Sequence, residues 1–191
     1  SDTEAVVSTI VSDNYDAGVQ CAKDMMKKKT SANIIIVNQK ALNSINERVK
    51  GFRDTIKGHP QYKIVEEKES AAEFEIAMKV MEKIIYEKKN YDVVMGGNDP
   101  IALGCIAAMQ MTDKTDQVMV YGVDGSPDGK AMIKAGFLEG TAAQSPIKIG
   151  EKAVQTAYSY LAGETVKKHV TIPVELITAD NLKFYDMTGW Q

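Results

Sequence analysis

Apolar positions along the chain follow two alternating rhythms. Short, nearly continuous apolar runs recur at Ala5–Val11, Asn33–Val37, Lys63–Glu66, Asp92–Met95, Val118–Gly122 and Gly140–Ala143. Runs of that length suit strands covered on both faces. Between them the spacing changes to three and four residues. Leu42, Ile45, Val49, Phe52 and Ile56 form one apolar stripe, Ala77, Val80, Met81, Ile84 and Ile85 a second, and Ile101, Cys105, Ala108 and Met109 a third. Each reads as the core-facing side of an amphipathic helix. Strand–helix alternation of this kind predicts an α/β doubly wound fold, a parallel sheet with right-handed crossovers. Such sheets bind ligands beyond the carboxyl ends of their strands, so the side chains just after each strand are the candidates for function.

The last quarter of the chain departs from the rhythm. Ile147, Val154, Ala157, Tyr158 and Leu161 mark one more amphipathic helix, stopped by Gly163. Val170–Thr178 then reads as a strand whose Pro173 suits an edge or crossing position. The chain closes on Gly189-Trp190-Gln191.

At the strand ends, polar residues cluster. Gly96-Gly97-Asn98-Asp99-Pro100 comes after the fourth run. Pro100 fits a helix start and points to Asp99 as the N-cap, leaving the Asn98 amide either to occupy a left-handed turn or to bind a ligand as donor and acceptor at once. Val123-Asp124-Gly125-Ser126-Pro127 comes after the fifth; Ser126 starts a helix, and Asp124 ahead of it either accepts from its own turn amides or from ligand hydroxyls. Gln144 stands between a strand and the Ser145-Pro146 step, as a surface residue or a ligand contact. Ser12-Asp13-Asn14 reads first as a helix cap. Arg48, at the edge of the first stripe, either covers the helix with its stem or aims its guanidinium into a cleft. Together these place an arginine, an asparagine, an aspartate and a glutamine on one rim, a donor–acceptor set suited to a neutral polyhydroxylated ligand.

Composition narrows the alternatives. With 44% hydrophobic and 26% charged residues over 191 positions, the chain is of globular type. A net charge of −3 offers nothing to a phosphate backbone, and Lys27-Lys28-Lys29 ends a helical stretch, so no nucleic-acid partner is expected. No run has the length of a membrane span, and Ser1-Asp2-Thr3-Glu4 lacks the features of a signal peptide. Cys21 and Cys105 fall on separate helices and read as buried thiols, without metal-type spacing. The phosphate loop, the dinucleotide fingerprint, the G-x-S-x-G elbow and H-E-x-x-H are all lacking. His59 and His169 lie in polar stretches away from any strand end. A binding protein without cofactor, not an enzyme, is the expectation.

Five segments then resemble a known family in order and spacing: Ile10-Val11-Ser12-Asp13-Asn14, Glu47 to Phe52, Gly97 to Gly104, Tyr121 to Gly129 and Ala143-Gln144. They are similar to the ribose-binding type of periplasmic solute-binding protein from about Ala5 to about Leu176. The resemblance implies two α/β lobes that close on a sugar and deliver it to an ABC-transporter permease, in the periplasm or as a cell-surface lipoprotein. It carries Arg48, Asn98, Asp124 and Gln144 onto sugar-binding positions and puts Ser12 and Gln144 near the first two interlobe crossings. The effector-binding core of a lactose-repressor-type regulator is the alternative.

Two departures set further expectations. The chain begins where the family's second lobe begins. Residues 12–144, with 174–191 returning, are expected to form the ligand-binding lobe, and 145–173 a crossing segment and helix of the other lobe. The stripe of the helix over 147–161 should then stand exposed, or be covered by homodimer formation or domain exchange. The family's stacking aromatic before the third helix is replaced by Ala72, and Phe74, one turn away, either substitutes for it or belongs to the core.

Overall fold

The computed structural model describes residues 5–112 and 118–190; the leader-like features sought at Ser1–Glu4 lie outside the described residues. The chain runs β1 (Thr9–Ser12), α1 (Asn14–Lys28), β2 (Ala32–Asn38), α2 (Asn43–Ile56), β3 (Tyr62–Glu69), α3 (Phe74–Tyr86), β4 (Val93–Gly96) and α4 (Asp99–Gln110). It continues through β5 (Met119–Asp124), α5 (Pro127–Lys134), β6 (Gly140–Ala143), α6 (Pro146–Leu161), β7 (His169–Ile172), β8 (Glu175–Thr178) and a 3-10 turn at Leu182–Phe184.

Six strands form one sheet in the order β3-β2-β4-β5-β6-β8. Every neighbouring pair is parallel except β6 and β8, which run antiparallel. The expected α/β doubly wound architecture is therefore present, with an antiparallel edge. The order reverses between β2 and β4, because the chain steps outward from β2 to β3 and then back across to β4. That reversal opens a crevice at the carboxyl edge. Right-handed crossovers then put α1 and α2 on one face and α3, α4 and α5 on the other, with the helices of each face in mutual contact. Ile34 to Val37 and Val93 to Met95 are fully buried between the layers, as continuous apolar strands must be.

The α1–α2 packing is unusually close. A β-carbon on Gly18 would lie 1.8 Å from the Arg48 carbonyl oxygen, and one on Gly51 would lie 2.0 Å from that of Tyr15. Only glycine allows that approach. Its consequence is local: the backbone of α2 at Arg48 rests directly on the first turns of α1.

Two expectations about strands are corrected. The run Ala5–Val11 is not a strand of the main sheet. Only Thr9–Ser12 is extended, and it pairs in parallel with β7 as a separate two-stranded sheet. Its apolar character came without two covered faces, and Val6, Val7 and Val11 are exposed. Val170–Thr178 is likewise two strands, not one. Pro173 breaks the ladder, so β7 joins β1 while β8 joins the main sheet.

Candidate functional site

At the carboxyl edge of the sheet the strands deliver a closed circuit of hydrogen bonds. Ser12 Oγ, at the end of β1, donates to Gln144 Oε1 at 2.8 Å. Gln144 Nε2, just past β6, donates to Asp124 Oδ1 at 2.6 Å. Arg48 NH1 reaches the same carboxylate oxygen at 3.3 Å and donates to the Gly97 carbonyl at 2.9 Å. Arg48 Nε donates to Asn14 Oδ1 at 2.9 Å, and Asn14 Nδ2 returns to the Ser12 carbonyl at 3.2 Å. Four separate strand ends and two helices are thereby tied into one loop across the β2/β4 crevice.

Burial sets the electrostatics. The Arg48 side chain is only 5% exposed and that of Asp124 16%. Burial pushes the Asp124 carboxyl up to about 6, against the pull of the Arg48 guanidinium, with the nearby Asp99 carboxylate adding to the rise. Burial also lowers the Arg48 guanidinium, which Asp124 and Asp99 oppose. Desolvation thus outweighs pairing on both sides, as is common for buried ion pairs. Asp124 holds this position at φ 145°, a backbone conformation that favours glycine.

The capping roles at β4 differ from expectation. Asn98, not Asp99, is the N-cap of α4, its Oδ1 accepting from the Ile101 amide at 3.0 Å. Proline is as comfortable at the second helical position as at the first, so Pro100 does not decide which residue caps. Among the described residues the Asn98 Nδ2 has no acceptor and remains free to donate. Asp99 is instead completely buried and accepts from Ser126 N at 2.8 Å, Ser126 Oγ at 2.7 Å and Thr141 Oγ1 at 2.6 Å. Burial raises its carboxyl, which those hydrogen bonds oppose. β-Carbons on Gly122 and Gly129 would stand 2.4 and 2.5 Å from its oxygens, so those two glycines make its berth. Asp99 braces the β5–α5 turn that carries Asp124, a role sequence reasoning missed; the Gly122 and Gly129 spacing was its only trace.

The other sequence candidates are distributed around this circuit. Ser126 caps α5 through Gly129 N at 2.9 Å, as expected. Of the Ser12-Asp13-Asn14 cluster, Asp13 caps α1 while Ser12 and Asn14 enter the circuit. Phe74 is not core: it opens α3, its backbone close against Gly104 of α4, and is 40% exposed. Ala72 adopts φ 58° in the turn before it. His59 and His169 are exposed, and both cysteines are free and buried. Among the described residues no cluster of acidic, histidine or cysteine side chains could hold a metal ion, and no helix is long and apolar enough to cross a membrane. A cavity of about 530 Å³ surrounds Gly58, His59 and Pro60 at the opposite end of the strands and shares no residue with the circuit.

This edge can accept from and donate to neutral hydroxyls through one carboxylate, two amides and a guanidinium. A family model described as periplasmic binding protein domain matches residues 1–165. The chain belongs to that family. Among curated proteins it is 31% identical to the ribose import binding protein of Salmonella typhimurium over 175 residues, covering 90% of this chain and 58% of the relative. It is also 31% identical to the D-apiose import binding protein of Paraburkholderia graminis, covering 97% of this chain and 60% of the relative. Among solved structures it is similar to an ABC-transporter solute binding protein of Bacillus halodurans with bound myo-inositol, at TM-score 0.89 and 26% identity, covering 96% of this chain and 64% of the other. The chain thus spans about 58% of the length of the ribose relative. The relatives are named as binding proteins, not as enzymes.

Proposed function

We propose that this chain supplies one wall of a cleft that binds a sugar or cyclic polyol, without catalysis, for import through an ABC-transporter permease. The observation that carries the reading is the Ser12–Gln144–Asp124–Arg48–Asn14 circuit at the sheet's carboxyl edge. It presents a desolvated carboxylate between an amide and a guanidinium where such sheets bind ligands, and the relatives named above carry ribose, apiose and myo-inositol in their names. Asp124 accepts two ring hydroxyls, Asn98 Nδ2 donates to a third, and Arg48 and Gln144 orient the carboxylate. The import roles of those relatives favour transport over a regulator's effector core and support a reading in which the chain works outside the cytoplasm, in the periplasm or on a lipid-anchored protein.

The same reading assigns two bodies. Residues 12–144 with 174–191 form the ligand-binding lobe, and 145–173 belong with a second lobe. Its support is that β7 pairs with β1 outside the main sheet and that α6 has no buried residue.

The test is an amide-resolved NMR titration of the chain with D-ribose, D-apiose and myo-inositol. One wall offers a handful of hydrogen bonds of about 1 kcal/mol net, or about 1.5–3 where charged, so dissociation constants on the order of 1 mM or weaker are expected. Saturable shifts at residues 97–99, 124–126 and 143–145 support the reading. Micromolar affinity, saturable shifts elsewhere, or none at all contradict it.

A further inference from the structure

Residues 185–190, a strap after the 3-10 turn, reach this same edge, and nothing in the circuit accounts for how they are held. Lys130, on α5, is completely buried. Its ammonium donates to the Asp186 carbonyl and, at 2.6 Å, to the Gly189 carbonyl. Burying an ammonium is costly unless hydrogen bonds replace its water, and here both replacements are backbone oxygens of the strap. Asp186 Oδ1 also accepts from the Thr188 amide and hydroxyl, each at 2.9 Å, which fixes the bend between the two anchored carbonyls. The residue immediately beyond this double anchor is Trp190.

Trp190 is not packed away: it remains 48% exposed. Together with Gln144, Pro146 and Ile149 it lines a cavity of about 270 Å³. Gln144 is thus shared between that cavity and the circuit, since its amide donates to Asp124. An indole that shares a cavity with the Gln144 amide offers a flat apolar face one residue removed from the Asp124 carboxylate to which that amide donates. Ring-shaped polyols present that combination in reverse, with a face of C–H groups and a rim of hydroxyls. Open-chain polyols have no such face.

We propose that Trp190 is a specificity-determining wall of the ligand site, presented beside Gln144 by a strap that Lys130 ties down, and that it selects cyclic over open-chain polyols. The inference rests on the sugar-binding reading above.

The chain has a single tryptophan, so its emission reports this residue alone. Titrating the chain with myo-inositol should shift that emission saturably, with the same midpoint as the amide shifts at Asp124. Aromatic contacts of this kind predict a roughly 3- to 10-fold weaker dissociation constant in Trp190→Ala, largely rescued in Trp190→Phe. Mannitol should bind wild type and Trp190→Ala alike. If amide shifts at Asp124 saturate while Trp190 emission stays flat and Trp190→Ala binds like wild type, the Trp190 proposal is overturned and the carboxyl-edge site stands. If no shift at Asp124 saturates, both fall together.

Discussion

Asp124→Asn removes the charge of the buried carboxylate while keeping its size and one acceptor, and the stability difference between wild type and that variant should follow pH as the Asp124 carboxyl titrates. Burial holds the folded-state carboxyl at about 6, against about 3.9 for an unperturbed aspartate. A raised value means the folded protein holds this proton more tightly than the unfolded chain does. The associated stability is fully present below about pH 4 and is lost as pH rises through about 6. A shift of about two units amounts to about 3 kcal/mol in full, and linkage gives about 1.4 kcal/mol of it at pH 5 and almost none at pH 7.5. Wild type should therefore gain about 1.4 kcal/mol relative to Asp124→Asn on going from pH 7.5 to pH 5. Asp99, also raised by burial, is present in both proteins, so its own desolvation is common to both and only its coupling to the Asp124 charge enters the difference. Urea unfolding followed by far-UV circular dichroism at the two pH values measures the difference. A difference that stays flat, or one in which wild type gains as pH rises, would mean that the Arg48 pairing outweighs desolvation, and would refute the reasoning. Ligand binding should move the opposite way, weakening below about pH 6 as Asp124 takes up its proton.

Two further outcomes are expected. Asp99→Ala leaves the Ser126 amide, the Ser126 hydroxyl and the Thr141 hydroxyl without their shared acceptor, and should cost about 2–4 kcal/mol in urea unfolding; a loss under about 0.5 kcal/mol would remove its bracing role. On α6, Ile147, Val154, Tyr158 and Leu161 are 61%, 57%, 72% and 79% exposed, so the chain should bind apolar dyes or self-associate, and Tyr158→Lys with Leu161→Lys should abolish both; a sedimentation profile of a clean monomer without dye binding contradicts this.

Much of this fold is legible in the sequence because burial on both faces leaves a plain mark. Ile34 to Val37 of β2 and Val93 to Met95 of β4 are apolar since helices cover both sides, and the stripe of α2 lies where its spacing puts it, with Ile45, Val49, Phe52 and Ile56 buried and only Leu42, just ahead of the helix, exposed. β1 is not legible in the same way, because an apolar run does not name its partner, and the choice of β7 over the main sheet depends on residues some 160 positions away. Asp124 and Gln144 are marked by topology, since each stands at a strand's carboxyl end, and Arg48 by its place at the edge of the α2 stripe. Asn98 takes the cap expected of Asp99 because both side chains can cap a helix, and the hydroxyls of Ser126 and Thr141 that claim Asp99 come from distant segments. Asn14 enters the circuit through the glycine-mediated contact of α1 with α2, and no local pattern announces that approach. Trp190 leaves no sign at all, for its place depends on where α5 carries Lys130.

A polyhydroxylated ring seated at the carboxyl edge against Asp124 is the central claim. Crystals of the chain soaked in myo-inositol at a concentration far above the weak affinity expected would test it most directly. The predicted result is density for the ring with hydroxyls in hydrogen-bond contact with the Asp124 carboxylate and the Asn98 amide. Density for the ring elsewhere, with the edge around Arg48, Asp124 and Gln144 left to solvent, would contradict it.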